Sequence, residues 1–218
     1  MASHPPQRSI SDSNGFILGE PAWDVALLFP PQGSWTEADY FELDSGRLVE
    51  FSNGCVEVLD MPTKTHQRIV RFLFELLSQY VSAARLGEVF FAPLPLRLWE
   101  EKFREPDLIF IRHGRVDYRG YPAGADLVVE VVSEGEMNRR RDLVAKRDEY
   151  CRAGIAEYWI VDPHAATITV LGDAGSVYEQ ERVFGRTEIA VSLTLEGFHV
   201  SVEQVLAAAS DPQSELLT

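Results

Sequence analysis

Cysteine is scarce in this sequence, and long apolar runs are absent. Two cysteines, Cys55 and Cys151, occur in 218 residues, which is too few for a disulfide-stapled scaffold and predicts a reduced, cytoplasmic setting. No apolar run approaches the roughly 20 residues that span a bilayer, so we expect no membrane association. Residues 1–14 are polar and lack the basic start and apolar centre of a signal peptide.

Several common site motifs are also missing. The sequence has no glycine-rich nucleotide-binding loop, no Cys–His cluster with zinc spacing and no nucleophile elbow. Ser133 has no evident histidine partner in the sequence, and Cys151 lies beside Tyr150 in a helical pattern typical of a packing residue. These absences disfavour phosphate-loop, structural-zinc and acyl-transfer sites.

Basic residues are outnumbered and unevenly distributed. The chain carries 20 Lys and Arg against 34 Asp and Glu, a net charge of −14, which argues against a general nucleic-acid coating protein. Residues 1–60 and 155–218 each carry a net charge of −8, whereas residues 61–154 carry +2. A phosphate backbone is therefore best tolerated in the middle segment, where Arg139 and Arg140 are candidate phosphate contacts. The same basic run also fits a solvated helix face with i,i+4 ion pairs.

Length and composition predict one folded domain. The chain is 45% hydrophobic and 25% charged, an ordinary globular mixture. We predict a flexible N-terminal arm over residues 1–30, a single domain over residues 31–209 and a C-terminal tail over residues 210–218.

Strand and helix patterns alternate along this domain. Residues 47–59 predict a β-hairpin that turns at Asn53 and Gly54. Residues 62–85 predict the longest helix, which Gly87 is expected to end. The remaining predicted elements are strands at 88–99, 107–111 and 126–132, a helix at 137–152, a strand at 157–161, hairpin material at 167–200 and a helix at 201–209. Pro93 and Pro95 interrupt the first of these strands, which favours an edge or a bend there. The mixture favours a central sheet with a helix on each face, α/β or α+β.

One acid interrupts an apolar strand. Glu130 lies in the run Leu-Val-Val-Glu-Val-Val, which is typical of a strand covered on both faces. A carboxylate there is costly unless it is paired or bound to a cation. Three interpretations stay open: a strand end exposed by a bend, an ion pair with a buried arginine, or a metal ligand.

Asp107 supplies a second carboxylate at the start of a neighbouring predicted strand. It follows Pro106 and opens the run Leu-Ile-Phe-Ile, either as a turn residue or as a ligand placed beside Glu130. Two carboxylates on neighbouring strands can hold Mg²⁺, which prefers oxygen ligands and keeps several waters. Such a metal activates water for attack on a phosphodiester and offsets charge on the phosphate.

Three further side chains are candidates near these acids. Lys146 lies on the flank of a stripe formed by Leu143 and Tyr150. It either extends its ammonium into water or orients the attacking water and neutralises the phosphate. Glu50 is another acid, in the first hairpin. His66 opens the long helix, where a histidine is usually a surface or capping residue.

The motifs follow one another in a recognisable order over residues 35–200. They are Trp-Thr-Glu-Ala-Asp-Tyr at 35–40, Leu-Val-Glu at 48–50, His66, Glu-Pro-Asp at 105–107, Asp-Leu-Val-Val-Glu-Val-Val-Ser at 126–133, Arg-Arg-Asp at 140–142 with Lys146 and Tyr150, and Gly-Ile-Ala-Glu-Tyr-Trp-Ile-Val-Asp-Pro at 154–163. As an ordered set they resemble the Uma-type family of bacterial putative restriction endonucleases, within the PD-(D/E)XK nuclease superfamily.

This resemblance implies both a fold and a metal site. The implied fold is α/β, a restriction-endonuclease-like mixed central β-sheet flanked by helices, with additional N- and C-terminal β-hairpins. The implied metal is Mg²⁺ or Mn²⁺, held by Asp107 and Glu130, with Glu50 as a further ligand. His66 also matches the family and is a candidate neighbour of the site.

The catalytic lysine implied by the resemblance stands on the next helix. In the superfamily it normally follows the glutamate by two residues, a position that Val132 occupies here. In this family the corresponding residue is Lys146. The implied function is a Mg²⁺-dependent endonuclease acting on DNA, and the symmetry of double-strand cleavage predicts a homodimer.

Two other functions stay open. A catalytically weak or inactive protein of the same fold would bind a protein partner or dimerise, and exposed aromatic residues near Tyr118 and Tyr121 would serve such a surface. A hydrolase of small phosphoesters would use the same metal chemistry on a shorter substrate.

Overall fold

Two main β-sheets and four helices form the described part of the protein. The structure, a computed structural model, describes residues 10–11, 17–18, 29–43, 48–133, 144–175 and 177–210. The helices are α1 Glu37–Glu42, α2 Lys64–Ala84, α3 Lys146–Arg152 and α4 Val202–Ala209. The strands are β1 Ile10–Ser11, β2 Ile17–Leu18, β3 Val49–Ser52, β4 Cys55–Val58, β5 Gly87–Phe91, β6 Leu96–Trp99, β7 Lys102–Arg104, β8 Leu108–Arg112, β9 Asp117–Tyr118, β10 Tyr121–Pro122, β11 Leu127–Val131, β12 Glu157–Asp162, β13 Thr167–Ala174, β14 Tyr178–Gly185, β15 Ile189–Val191 and β16 His199–Ser201.

The larger sheet is mixed. Its six strands follow the order β14-β13-β12-β11-β8-β5. β11 and β12 run parallel, and the other neighbours run antiparallel. Because the chain passes through α3 between the two parallel strands, this part of the fold is a βαβ unit. With helices on both faces, the sheet confirms the predicted α/β fold.

α2 covers one face of this sheet. Leu73 and Leu77 pack with Val129 of β11 in one core cluster, and burying each leucine side chain contributes roughly 1.5–3 kcal/mol. The Thr63 side chain caps the start of the helix by accepting a hydrogen bond from the His66 backbone N–H. Neither α2 nor any other helix in the described ranges has the length and apolar character to cross a membrane.

The expected role of Gly87 as the end of this helix is wrong. α2 closes at Arg85, which adopts a left-handed conformation with φ of 53°, and Gly87 already belongs to β5. A Cβ atom on Gly87 would lie 1.9 Å from the carbonyl oxygen of Ile111 on β8. Glycine is therefore required by the close approach of two strands.

α3 covers the opposite face. Tyr150 packs with Val128 and Val132 in a second core cluster. All five residues of β11 are buried, which confirms the strand covered on both faces. Of the helix expected over residues 137–152, the described part begins at Val144, and residues 134–143 lie outside the described residues.

The smaller sheet has the strand order β4-β3-β7-β6. The predicted hairpin is confirmed as β3 and β4, which turn at Asn53 and Gly54 with φ of 47° and 76°. β3 also pairs with β7, so this hairpin is part of a larger sheet. The interruption expected at Pro93 and Pro95 within residues 88–99 is present, but it separates two strands, β5 and β6, which belong to different sheets.

The aromatic residues of β9 and β10 do not form an exposed surface. The Tyr118 hydroxyl donates to a Glu37 carboxylate oxygen at 2.6 Å, and the Arg97 guanidinium lies 4.1 Å from the Tyr118 ring centre. Tyr121 stacks on Phe41 with ring centres 4.8 Å apart. Both tyrosines are half-buried, so the expectation of an exposed aromatic surface here is wrong.

Candidate active site

Asp107 lies where β8 begins, opposite the end of β11. Its Oδ2 accepts a hydrogen bond from the Val131 backbone N–H at 2.8 Å and lies 3.1 Å from His66 Nε2. Because β8 and β11 are antiparallel neighbours, this contact brings Asp107 beside the residue that follows Glu130. The two acids named from the sequence therefore lie at the same end of adjacent strands.

Glu130 is 4% exposed and is satisfied by two donors. Lys146 Nζ donates to Glu130 Oε1 at 2.8 Å, and the Tyr150 hydroxyl donates to the same oxygen at 2.6 Å. A buried carboxylate requires partners of this kind. Of the interpretations that the sequence left open, an ion pair is present, but its cation is a lysine rather than an arginine.

Lys146 is 2% exposed, so its ammonium does not extend into water. Its Nζ lies between two acids, 2.8 Å from Glu130 Oε1 and 3.6 Å from Glu50 Oε1. Tyr150 follows Lys146 by one helical turn, so both side chains lie on the same face of α3. That spacing delivers two donors to one carboxylate.

Glu50 connects this pair to a longer series of buried charges. Arg104 Nη1 donates to Glu50 Oε2, and Arg104 also donates through Nε and Nη2 to the carboxylate of Glu149 at 2.7 and 2.9 Å. Lys102 Nζ reaches the same Glu149 carboxylate at 2.5 Å. We call this series the ion chain; its members are Glu130, Lys146, Glu50, Arg104, Glu149 and Lys102.

Sequence reasoning missed half of the ion chain. Lys102 and Arg104 flank Phe103 on β7, and such alternation is typical of a strand with one solvated face. All three residues are nevertheless buried, because Glu149 of α3 covers the polar face of the strand. The excess of basic residues in the middle segment was the only sequence signal, and it does not distinguish a buried arginine from an exposed one.

Glu105 lies beside the ion chain. Its backbone N–H donates to Glu50 Oε1 at 3.3 Å, and its own Oε2 has no hydrogen-bond partner among the described residues. Burial, followed by the charge of Glu50, raises the pKa of Glu105 to about 7. This acid is therefore partly protonated near neutral pH.

His66 is buried rather than placed on the surface. It is 8% exposed, its Nε2 faces Asp107, and its Nδ1 has no hydrogen-bond partner among the described residues. Burial lowers the pKa of His66, but the hydrogen bond and charge of Asp107 and the charge of Glu130 outweigh burial, so the net pKa is raised. The structure thus brings His66 to Asp107, and its place as a neighbour of a reactive site stays a prediction.

The donor atoms fit a divalent cation that keeps several waters. Within the described residues, the hydrogen bonds of Asp107 fall on Oδ2, which leaves Oδ1 for a cation. Mg²⁺ commonly takes one or two carboxylates and fills its other positions with water. The described ranges hold no group of three or more His, Cys, Asp or Glu residues arranged for a metal, so Glu50 as a further ligand stays a prediction. Arg139 and Arg140 lie outside the described residues.

The chain is similar to a known protein family and to a solved structure. The family model Uma2, described as "Putative restriction endonuclease", matches residues 37–203. A solved structure described as "a putative nuclease belonging to DUF820 from Anabaena variabilis ATCC 29413" is similar to this chain, with a TM-score of 0.66 and 17% sequence identity, over 81% of this chain and 99% of that one. At that identity the likeness shows the fold alone. No curated protein matches the sequence. Because the family match spans most of the chain and contains every candidate site residue, the protein belongs to the Uma2 family.

Proposed function

We propose that this protein is a divalent-metal-dependent DNA endonuclease that hydrolyses phosphodiester bonds. The observation that carries the proposal is the contact of Glu130 with Lys146, 2.8 Å apart, next to Asp107 at the same end of adjacent strands. Family membership supports a nuclease in general terms. The metal, the DNA substrate and the individual roles of these residues are parts of the proposal.

Asp107 and Glu130 are the proposed ligands of Mg²⁺ or Mn²⁺. When bound, such a cation lowers the pKa of a coordinated water and offsets negative charge on the phosphate. The Val131 N–H and His66 hold one oxygen of Asp107 in place. Tyr150 holds Glu130 in the same way. Both carboxylates are therefore fixed before substrate binds, which is what preorganised catalysis requires.

Lys146 is the proposed cation beside the reacting phosphate. In the hydrolysis, the water oxygen forms a bond to phosphorus and the bond from phosphorus to the leaving sugar oxygen breaks. The proton lost by the water balances the proton gained by the leaving oxygen. A buried ammonium held by Glu130 and Glu50 stabilises the additional negative charge of the transition state, since it needs little reorganisation.

The charge distribution supports placing the substrate against the middle segment. The whole chain carries −14, whereas residues 61–154, which contain Asp107, Glu130 and Lys146, carry +2. DNA is repelled by the acidic flanks and is tolerated only where basic residues offset its phosphates. Arg139 and Arg140 stay the proposed phosphate contacts.

Cleavage assays on supercoiled plasmid and single-stranded DNA test this function. We predict cleavage with Mg²⁺ or Mn²⁺ that EDTA stops. Asp107→Asn, Glu130→Gln and Lys146→Met should each lower the rate by at least about 100-fold, because each removes a charge from the reacting centre. Asp117→Asn, on the exposed surface of β9, is the matched control and should keep full activity. A wild-type protein that cuts neither substrate, or an Asp107→Asn variant that cuts as fast, would contradict the proposal.

The same assay separates the other functions considered. Hydrolysis of a small diester such as bis(p-nitrophenyl) phosphate, without cleavage of DNA, would favour a small-phosphoester hydrolase. The aromatic surface expected for a non-catalytic binding module does not form at Tyr118 and Tyr121, because both side chains pack against their neighbours. The homodimer, the cytoplasmic location and the domain boundaries at residues 30 and 210 stay predictions.

A further inference from the structure

A cavity of about 530 Å³ opens at the same end of the central sheet as Asp107 and Glu130. Ser133, which follows β11, and His164, which follows β12, form its floor. The first turn of α2 forms one wall, and α4 forms another. A substrate that reaches the candidate active site therefore passes beside this cavity.

The cavity and the acidic site share residues. His66 lines the cavity and contacts Asp107 at 3.1 Å through Nε2. Val131 also lines the cavity, and its backbone N–H holds the same Asp107 oxygen. A group bound in the cavity is thus separated from the proposed metal ligands by one side chain.

Two polar features of the cavity favour an anionic group. Arg186 is exposed at its lining and has no ion pair or hydrogen bond within the described part of the chain. The first turn of α2, a helix of 21 residues, presents backbone N–H groups and the positive end of the helix dipole.

The rest of the lining suits a flat apolar ring with polar edges. Pro163 and Leu206 contribute apolar surface, and Met61, which also lines the cavity, is 70% exposed. Asp60 and Glu203 place carboxylates in the same cavity, and the exposed Glu203 carboxylate can accept hydrogen bonds from an amino group. Ligand pockets of a few hundred Å³ combine apolar walls with a few polar groups in this manner.

We propose that this cavity binds one nucleotide of the substrate, next to the phosphate that is cut. The phosphate of that nucleotide lies against Arg186 and the first turn of α2, and its base lies against Pro163 and Leu206. The assignment to a nucleotide rests on the proposed nuclease function, since the same polar groups would also accept a simpler phosphate. A nucleotide turned out of a duplex, or one in a single strand, reaches such a cavity without its neighbour on the opposite strand.

Binding of free nucleotides tests this inference without any cleavage. The four 2′-deoxynucleoside 5′-monophosphates, the corresponding nucleosides and inorganic phosphate are titrated into the full chain in EDTA, with calorimetry or NMR as the readout. We predict that the monophosphates bind more tightly than either nucleosides or phosphate, because both halves of the cavity are then filled.

Two pairs of variants locate the binding. Ala207→Trp fills the cavity from the exposed side of α4 and should weaken monophosphate binding by at least about tenfold, equivalent to about 1.4 kcal/mol. Gln204→Trp, exposed on the same helix outside the lining, should not weaken it. Arg186→Ala should weaken monophosphates but not nucleosides, whereas Arg182→Ala should change neither. Thermal unfolding of each variant checks that the fold is kept.

Three outcomes would overturn the inference: no monophosphate binding at millimolar concentration, equal binding by Ala207→Trp and wild type, or inorganic phosphate binding as tightly as the monophosphates. These outcomes leave the nuclease proposal intact if plasmid is still cut. Conversely, a protein that binds monophosphates in this cavity but cuts no DNA supports the site and contradicts the nuclease. The two proposals therefore fail separately.

Discussion

At the scale of single residues, Tyr150 holds the Glu130 carboxylate in position. It is fully buried, and its hydroxyl donates to Glu130 Oε1 at 2.6 Å. Burial, followed by the charge of Glu130, raises the pKa of Tyr150 well above its usual value. The hydroxyl therefore stays a donor over the pH range in which the protein is folded.

We predict that Tyr150→Phe slows DNA cleavage by about tenfold through kcat, with KM unchanged, because a small misplacement of a catalytic carboxylate is enough for such a loss. The loss of one buried hydrogen bond should also destabilise the fold by about 1 kcal/mol. Steady-state kinetics and urea unfolding measure the two effects.

Tyr178→Phe is the matched control for Tyr150→Phe. The Tyr178 hydroxyl donates to the Ile155 carbonyl at 2.9 Å in the same core cluster, without contact to Glu130. Removing the Tyr178 hydroxyl should lower the free energy of unfolding by a similar amount and leave kcat unchanged. Equal cleavage rates in the two variants would show that Tyr150 does not position the carboxylate.

Glu157 shows that a buried acid need not belong to the reactive site. It is fully buried and accepts hydrogen bonds from Ser192 Oγ at 2.8 Å, from the Thr194 N–H at 2.7 Å and from Trp159 Nε1 at 2.5 Å. These donors satisfy the carboxylate and fasten the segment before β16 to the start of β12. Glu157 lies in the motif at residues 154–163, one of those that carry the family resemblance, yet its contacts are structural.

Glu157→Gln should destabilise the fold by about 2–4 kcal/mol, because its amide group would face donors and leave some of them unsatisfied. Equilibrium unfolding in urea measures this loss. Glu188→Gln is the comparison, since the carboxylate of the exposed Glu188 accepts only the Gly185 N–H at 2.6 Å among the described residues, and the substitution should cost under about 1 kcal/mol. A loss for Glu157→Gln no greater than for Glu188→Gln would contradict the structural role.

At the scale of elements, Glu149 joins α3 to the smaller sheet. Burial raises the pKa of Glu149, but its contacts with Arg104 and Lys102 outweigh burial, so the net pKa lies below the usual 4.5. An acid with a lowered folded-state pKa stabilises the fold above its unfolded pKa, and this stabilisation is lost as the pH falls through the folded value. The contact therefore weakens in acid, below about pH 4.5.

We predict that Glu149→Gln is destabilised by about 3 kcal/mol at pH 7, because Lys102 then lies buried without its carboxylate partner and Arg104 loses one of its carboxylates. The difference in unfolding free energy between this variant and wild type should shrink as the pH is lowered below 4.5. Denaturant unfolding at a series of pH values measures this difference. Glu181→Gln removes a surface partner of Arg147, 2.9 Å away, and should cost less than about 1 kcal/mol at every pH. A pH-independent loss for Glu149→Gln would contradict the ion-pair account.

Elements with a regular apolar pattern could be predicted from the sequence, whereas their neighbours in space could not. The runs of β11 and α2 carry their own periodicity, and each was placed to within a few residues. The split of residues 88–99 between two sheets depends on which strands pair across the molecule, and Gly87 is fixed by a neighbour 24 positions further along the chain. Such contacts leave no local pattern.

The residues of the candidate site likewise divide into those that the sequence could predict and those that only their neighbours in space show. Glu130 and Asp107 stand out in the sequence because an acid beside apolar strand residues requires a partner. Lys146 was a candidate from its helical spacing, but that spacing alone favours a surface lysine, and the family resemblance is what pointed to a catalytic role. Arg104 lies in an ordinary alternating strand, so only the packing of α3 against β7 shows that it is buried.

At the scale of the whole molecule, one end of the central sheet collects the features that a nuclease needs. The acids, Lys146 and the cavity lie beside one another there. They are positioned by the ends of β11 and β12 and by the starts of α2 and α3. Residues 61–154 carry a net charge of +2, whereas the segments on either side are acidic and the whole chain carries −14. We infer that a bound divalent cation is needed to bring DNA against these carboxylates, since anions repel one another without it.

Mn²⁺ binding to the metal-free protein, followed by calorimetry, tests this central claim most directly. The account predicts one site that stabilises the folded chain by about 2.7 kcal/mol at a hundredfold excess over its dissociation constant. Asp107→Asn and Glu130→Gln should each weaken binding at least about tenfold, and Asp117→Asn should leave it unchanged. Binding of equal strength in Asp107→Asn and wild type, or no binding by a protein that cuts DNA, would contradict the claim that these two carboxylates share the cation.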